Sequence, residues 1–264
     1  MKKLSVVLSA VLVLAACKEK PGTNTDTNEP SAIPNISYNI LGTYPHDTSS
    51  FTEGLQWYQG ALYESTGNNG TSKLLKTDLK TGKALQELSL EDKYFGEGLT
   101  VLNDTIYQMT WQEKVVFVYD AKNFKLVKTF TNDRDGWGMT TDSTNLIVSD
   151  GSSNIYYRDP STFRLLKTVG VSDNYGPVAY INELEYVDGF IYANIWNTNY
   201  IVKIDPSSGN VIGKLDLAGI LEQAAKQTPD ANRGNVLNGI AYNPTSKTFY
   251  ITGKYWPVIF EMKF

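Results

Sequence analysis

From residue 36 onward, apolar positions come in short alternating runs separated by Gly, Asn, Asp and Pro, the pattern of half-buried β-strands joined by turns. One strand start recurs. Phe51-Thr52-Glu53-Gly54-Leu55 returns as Phe95-Gly96-Glu97-Gly98-Leu99, then in altered form as Gly136-Trp137-Gly138-Met139, Asn182-Glu183-Leu184 and Asn238-Gly239-Ile240. The copies lie roughly 40 to 56 residues apart, a spacing that belongs to repeat architectures.

The neighbours of each start also repeat. A second run follows each time at near-constant offset: Ala61–Glu64, Thr105–Gln108, Asn145–Val148, Phe190–Ala193 and Thr248–Ile251. Turn residues such as Gln59-Gly60, Asn103-Asp104 and Asp188-Gly189 divide it from the first. Third runs are Lys73–Asp78, Val115–Asp120, Asn154–Asp159, Tyr200–Asp205 and Val258–Met262, and fourth runs are Ala84–Leu90, Leu126–Phe130, Leu165–Val171 and Val211–Leu217. The fifth repeat has no fourth run, whereas an unassigned strand, Ile36–Leu41, precedes the first repeat. The pattern predicts an all-β, five-bladed β-propeller over 36–264, its ring closed by the N-terminal strand completing the last blade. One short helix is expected over Ala218–Lys226, where Leu221 and Ala225 share a face.

This topology predicts a site. The first two strands of a blade are antiparallel, so the start of one and the end of the other lie on the same face. The starts carry Glu53, Glu97, Trp137, Asn182 and Asn238, and the ends carry Gly67, Trp111, Gly151, Trp196 and Lys254. With Phe51 and Phe95 they would form an aromatic cup with convergent polar groups, which is the make-up of a small-ligand pocket. The polar type differs from blade to blade, as a site requires. Asp120, Asp159 and Asp205 keep one type and read as turn formers, and Ser149-Asp150-Gly151 reads mainly as structure.

Composition narrows the chemistry. A formal net charge of −4 offers no basic surface for nucleic acid. One cysteine and one histidine, Cys17 and His46, exclude a disulfide framework and a His- or Cys-built zinc centre. Residues 1–16 read as a signal peptide, with Met1-Lys2-Lys3 followed by a short apolar run. That run ends Leu14-Ala15-Ala16-Cys17, which resembles the bacterial lipobox and implies a lipidated Cys17. Residues 17–35, poor in apolar side chains, read as a flexible tether. The expectation is a monomer in the bacterial cell envelope, meeting the membrane only through its anchor.

The motifs Phe51-Thr-Glu-Gly-Leu55, Phe95-Gly-Glu-Gly-Leu-Thr100, Gly136-Trp-Gly-Met-Thr140, Asn182-Glu-Leu-Glu-Tyr186, Ala193-Asn-Ile-Trp196, Leu237-Asn-Gly-Ile-Ala-Tyr242 and Thr252-Gly-Lys-Tyr-Trp-Pro257 resemble the plant- and bacterial-type glutaminyl-peptide cyclotransferases. The resemblance spans about residues 42 to 264. It implies a metal-independent acyltransferase without cofactor, which converts the N-terminal glutamine of peptides or proteins to pyroglutamate and releases ammonia. It further implies Glu97 as proton shuttle, Asn182 and Lys254 as catalytic groups on the γ-amide oxygen, and Phe51, Glu53, Phe95, Trp111, Trp137, Trp196 and Asn238 as substrate-binding residues. Many members of that family carry Gln at the position of Glu53, so Glu53→Gln is expected to be tolerated. Two other readings of the same residues are a calcium-dependent, lactonase-like propeller hydrolase, with Glu53, Glu97, Asn182 and Asn238 as oxygen ligands, and a non-catalytic peptide-binding propeller.

Overall fold

The computed structural model describes residues 32–225 and 236–264; the expected signal peptide, Cys17 and most of the tether lie outside the described residues. Strand β1 (Asn39–Pro45) comes first. Blade one follows as β2 (Thr52–Tyr58), β3 (Ala61–Thr66), β4 (Lys73–Thr77) and β5 (Ala84–Ser89), and blade two as β6 (Gly96–Leu102), β7 (Thr105–Thr110), β8 (Val115–Asp120) and β9 (Leu126–Thr131). Blade three is β10 (Met139–Thr141), β11 (Leu146–Ser149), β12 (Asn154–Arg158) and β13 (Leu165–Gly170). A small hairpin that the sequence pattern did not suggest, β14 (Ser172–Asp173) with β15 (Gly176–Pro177), leads to blade four: β16 (Ile181–Val187), β17 (Phe190–Ile195), β18 (Tyr200–Ile204) and β19 (Val211–Asp216). Helix α1 (Ile220–Ala225) lies inside the segment expected to be helical. Blade five is β20 (Leu237–Asn243), β21 (Thr248–Gly253) and β22 (Val258–Lys263), with β1 antiparallel to β22 as its outer strand.

The ring therefore closes between the two ends of the propeller sequence, as expected, but with a shifted strand. β1 runs over 39–45 rather than 36–41. Ile36 donates its N–H to the Lys214 carbonyl at 2.8 Å, and Lys214 donates to the Pro34 carbonyl at 3.0 Å, so residues 34–36 lie beside blade four before the chain reaches blade five. The end of the expected tether is thus part of the folded body. Tyr44 fastens β1 further, donating its hydroxyl to Glu261 Oε2 at 2.8 Å.

Each apolar cluster lies between two neighbouring blades. Leu74 and Tyr63 of blade one meet Leu99, Ile106 and Phe117 of blade two. The last interface brings Leu55 and Leu62 of blade one against Ala241, Tyr250 and Ile259 of blade five. Burying each such side chain is worth about 1.5–3 kcal/mol, so the ring is held by its inter-blade seams.

Around the axis the inner strands come close enough to demand glycine. A Cβ on Gly54 or Gly98 would stand 2.5 Å from the backbone N of Leu99 or Met139 in the next blade. Blade four has Glu183 instead, and its carboxylate spans the axis. Oε1 accepts the N–H of Leu55 at 3.0 Å and Oε2 that of Ile240 at 2.9 Å, tying blade four to blades one and five. Asp120, Asp159 and Asp205 cap their turns through backbone N–H groups, as their uniform type suggested.

Candidate active site

The strand-start and strand-end columns meet at one mouth of the ring. Phe51, Glu53, Phe95, Glu97, Trp111, Trp137, Asn182, Trp196 and Lys254 line a single cavity of about 480 Å³, together with Tyr180, which the sequence pattern did not single out. Asn238 is the exception. It is fully buried behind the wall, where Nδ2 donates to the Thr52 carbonyl at 2.9 Å and to Glu53 Oε2 at 3.1 Å. Its place in the column is right, but its side chain braces Glu53 instead of facing the cavity.

The walls are aromatic and mutually braced. Phe51 meets Phe95 edge-on at 6.0 Å between centroids, Phe95 meets Trp111 at 5.7 Å, and Trp137 meets Trp196 at 5.9 Å. Edge-to-face pairs of this kind are favourable beyond their buried area and fix ring orientation. The two glycines of the strand-end column make this arrangement possible. A Cβ on Gly67 would run into the Phe95 ring, and one on Gly151 would lie 2.6 Å from the Trp137 ring.

The polar floor is an ion pair beside a lone carboxyl. Lys254 donates from Nζ to Glu53 Oε1 at 2.6 Å, with both groups buried, and its ammonium lies 4.4 Å from the centre of the Phe51 ring. Burial pushes the Glu53 carboxyl up to about 7, against the pull of Lys254. Glu97 is raised well above the ordinary carboxylate range, by burial first and then by the charge of Glu53, with Lys254 acting the other way. Glu97 has no hydrogen-bond partner among the described residues. Burial and the charge of Glu53 thus both favour the protonated form of the carboxyl that faces the cavity. Beside it, the Oδ1 of Asn182 is buried without a partner.

A second buried pair supports the lysine. Both ring nitrogens of His46 face oxygen acceptors: Nδ1 lies 2.7 Å from the Trp256 carbonyl and Nε2 3.1 Å from Glu64 Oε1. Glu64 also accepts the hydroxyl of Thr52 at 2.7 Å, so this cluster joins the Lys254 turn to the strand that carries Glu53. Desolvation would lower the His46 pKa, but Glu64, the Trp256 carbonyl and Asp47 together outweigh it and the net direction is up. A lone histidine outside the repeats gave no signal for this in the sequence. Ser149 proves structural, its hydroxyl donating to the Asn182 carbonyl while accepting the N–H of Gly138, both at 2.7 Å.

Of the four oxygen ligands that the cation reading would use, Glu53 is engaged, whereas the amide oxygens of Asn182 and Asn238 are buried without a partner. Glu53 gives one oxygen to an ammonium and the other to an amide, and no cluster of three or more His, Cys, Asp or Glu suited to a metal occurs among the described residues.

Comparison with known proteins agrees with the motifs. The family model described as glutamine cyclotransferase matches residues 8–264. The chain is 38% identical to the glutaminyl-peptide cyclotransferase of Arabidopsis thaliana over 228 residues, covering 85% of this chain and 70% of that protein. It superposes on the crystal structure of Myxococcus xanthus glutaminyl cyclase with a TM-score of 0.79 at 35% identity, covering 86% of this chain and 95% of the other.

Proposed function

Because the chain belongs to the glutamine cyclotransferase family, we propose that it cyclises the N-terminal glutamine of peptides and proteins to pyroglutamate, in the cavity bounded by Glu53, Glu97, Asn182, Lys254 and the aromatic cup. The observation that carries the proposal is Glu97, a buried carboxyl with a raised pKa and no protein partner, aimed into an aromatic-walled space.

The substrate's own α-amine is the nucleophile, so the protein needs no nucleophilic side chain. It must fold a flexible side chain into ring geometry and move one proton. The apolar walls take the methylene carbons and exclude water. The amine nitrogen bonds to the carbon of the side-chain carboxamide, Cδ, and the carboxamide oxygen gains negative charge. Lys254 is the cation at hand to stabilise that oxygen. The carboxamide of Asn182 complements that of the substrate, one end accepting from the γ-NH₂ and the other donating to the oxygen. Glu97 gives its proton to the departing nitrogen as the C–N bond breaks, and takes back the proton that the attacking nitrogen sheds. Ammonia leaves, the lactam forms, and Glu97 ends protonated as it began. Glu53, neighbour to both Lys254 and the cavity, holds the incoming amine by accepting its N–H. No step calls on a metal or cofactor, which makes this an acyl transfer driven by positioning and proton transfer.

The reading is tested with purified protein, Gln-initiated dipeptides and a coupled ammonia assay, with and without EDTA. Ammonia release equal in both conditions is the expected result. No release from any Gln peptide would reject cyclisation, and release abolished by EDTA would reject the metal-free course in favour of a cation-dependent enzyme.

A further inference from the structure

Tyr180 is the one cavity residue that the repeat does not explain. Four aromatic residues of the described chain adopt a left-handed backbone: Phe124, Phe163, Tyr180 and Tyr255, with φ between 55° and 63°. Such a conformation is strained for a bulky side chain and persists only where something holds it. Phe124 and Phe163 are buried in the core, and Tyr255 packs against Phe51 and accepts a hydrogen bond from Asn68. Tyr180 is 55% exposed, so burial does not repay its strain. Its backbone is nonetheless pinned on both sides: its N–H donates to the Gly151 carbonyl and its own carbonyl accepts the N–H of Trp196, each at 2.9 Å. The effect is to fix an exposed ring at the cavity rim, 5.9 Å from the Trp196 ring and tilted 45° to it. Trp196 is itself 41% exposed.

We infer that Tyr180 and the exposed face of Trp196 form a binding shelf for the side chain of the second residue of the substrate, selecting aromatic residues at that position. The inference rests on the cyclotransferase reading and adds a specificity to it. With the glutamine side chain and amine in the cavity, the next Cα lies only about 3.8 Å beyond the first, so the second side chain must fall at the rim. There it meets two rings that are inclined to each other and already held in place, so little freedom is lost on contact.

The test compares kcat/KM for Gln-Phe-amide and Gln-Gly-amide in the wild type, Tyr180→Gly and Tyr180→Phe. Glycine is used because it accepts the left-handed backbone without strain. The wild type is expected to favour Gln-Phe by about three- to tenfold, the scale of one aromatic contact. Tyr180→Gly should bring that ratio close to one, and Tyr180→Phe should keep it. A ratio that survives in Tyr180→Gly, collapses in Tyr180→Phe, or never exceeds one in the wild type overturns the shelf while leaving cyclisation standing. Absence of ammonia from both peptides in the wild type overturns both.

Discussion

At the scale of single residues, the chemistry turns on two carboxyls whose environments differ. Glu53 has a counter-ion, and Glu97 has none but is raised in part by the charge of Glu53. Glu97→Gln replaces a buried carboxyl, biased by its surroundings toward the protonated form, with an amide of the same shape, so the fold should be kept. The proton shuttle is lost, and turnover should fall by about 10²- to 10⁴-fold. Thermal melts alongside the ammonia assay check both halves; near wild-type turnover would reject the role of Glu97. Glu53→Gln removes the charge that raises Glu97 and leaves Lys254 to act on Glu97 alone. Glu97 must be protonated to act as an acid, so activity is lost as pH rises through its raised pKa. That alkaline limb of the kcat/KM profile should move to lower pH in Glu53→Gln, with activity kept within about tenfold at the new optimum. An unmoved limb would mean that another group sets it. This agrees with the tolerance expected from the sequence and gives it a measurable cost.

Elements explain which parts of the site could be read from the sequence. Glu53, Glu97, Trp137 and Asn182 were legible because each opens the inner strand of a blade, and equivalent positions in a ring must converge. Trp111, Trp196 and Lys254 were legible because they follow the second strand at constant offset. Asn238 shares its column but faces inward, since its amide satisfies the Thr52 carbonyl across the seam where the ring closes. Tyr180 and His46 were illegible because they lie between repeats, where no column exists. The alternation Ile36, Tyr38, Ile40 suggested a strand three residues early, because Ile36 and Tyr38 already pack against the seam of blades four and five before pairing begins. Glu183 stands where the other inner strands carry Gly54, Gly98, Gly138 and Gly239. The hydrogen bonds of its carboxylate make it a strut, a role the sequence did not indicate. Its two oxygens each meet a backbone N–H, so Glu183→Gln must turn an N–H₂ toward one of those donors. The expected loss is about 1–3 kcal/mol, read as a lowered denaturation midpoint with unchanged slope, because two donors then face each other in a buried place. A midpoint equal to wild type would mean that Glu183 does not brace the axis.

Two features belong to the whole molecule. The first is its attachment: if Cys17 carries the lipid, Cys17→Ser should move the protein from the detergent phase to the aqueous phase of a two-phase extraction, and a wild type found only in the aqueous phase would reject the anchor. The second is the set of carboxyls gathered about the axis from three blades. Glu53 is raised to about 7 and Glu185 to about 8, and Glu97 is raised well above the ordinary carboxylate range, all chiefly by burial. Folding thus holds protons that the unfolded chain releases above about pH 4.5. The stability linked to these groups is complete below that pH and is lost as pH rises through about 8. His46, raised by Glu64, acts in the same sense. Asp133, lowered to about 2 mainly by hydrogen bonding to Arg134, acts oppositely but only in strong acid. The melting temperature should therefore peak between about pH 4 and 6 and fall by several degrees toward pH 9. Glu185→Gln isolates one contribution: the amide can still accept the N–H of Tyr242 and donate to Thr140, but it cannot ionise. That variant should lose less stability between pH 6 and 9 than the wild type. A wild-type curve that is flat or rising to pH 8 would show that the axial carboxyls are already ionised in the folded state, and the neutral form of Glu97 on which proton transfer depends would lose its physical basis.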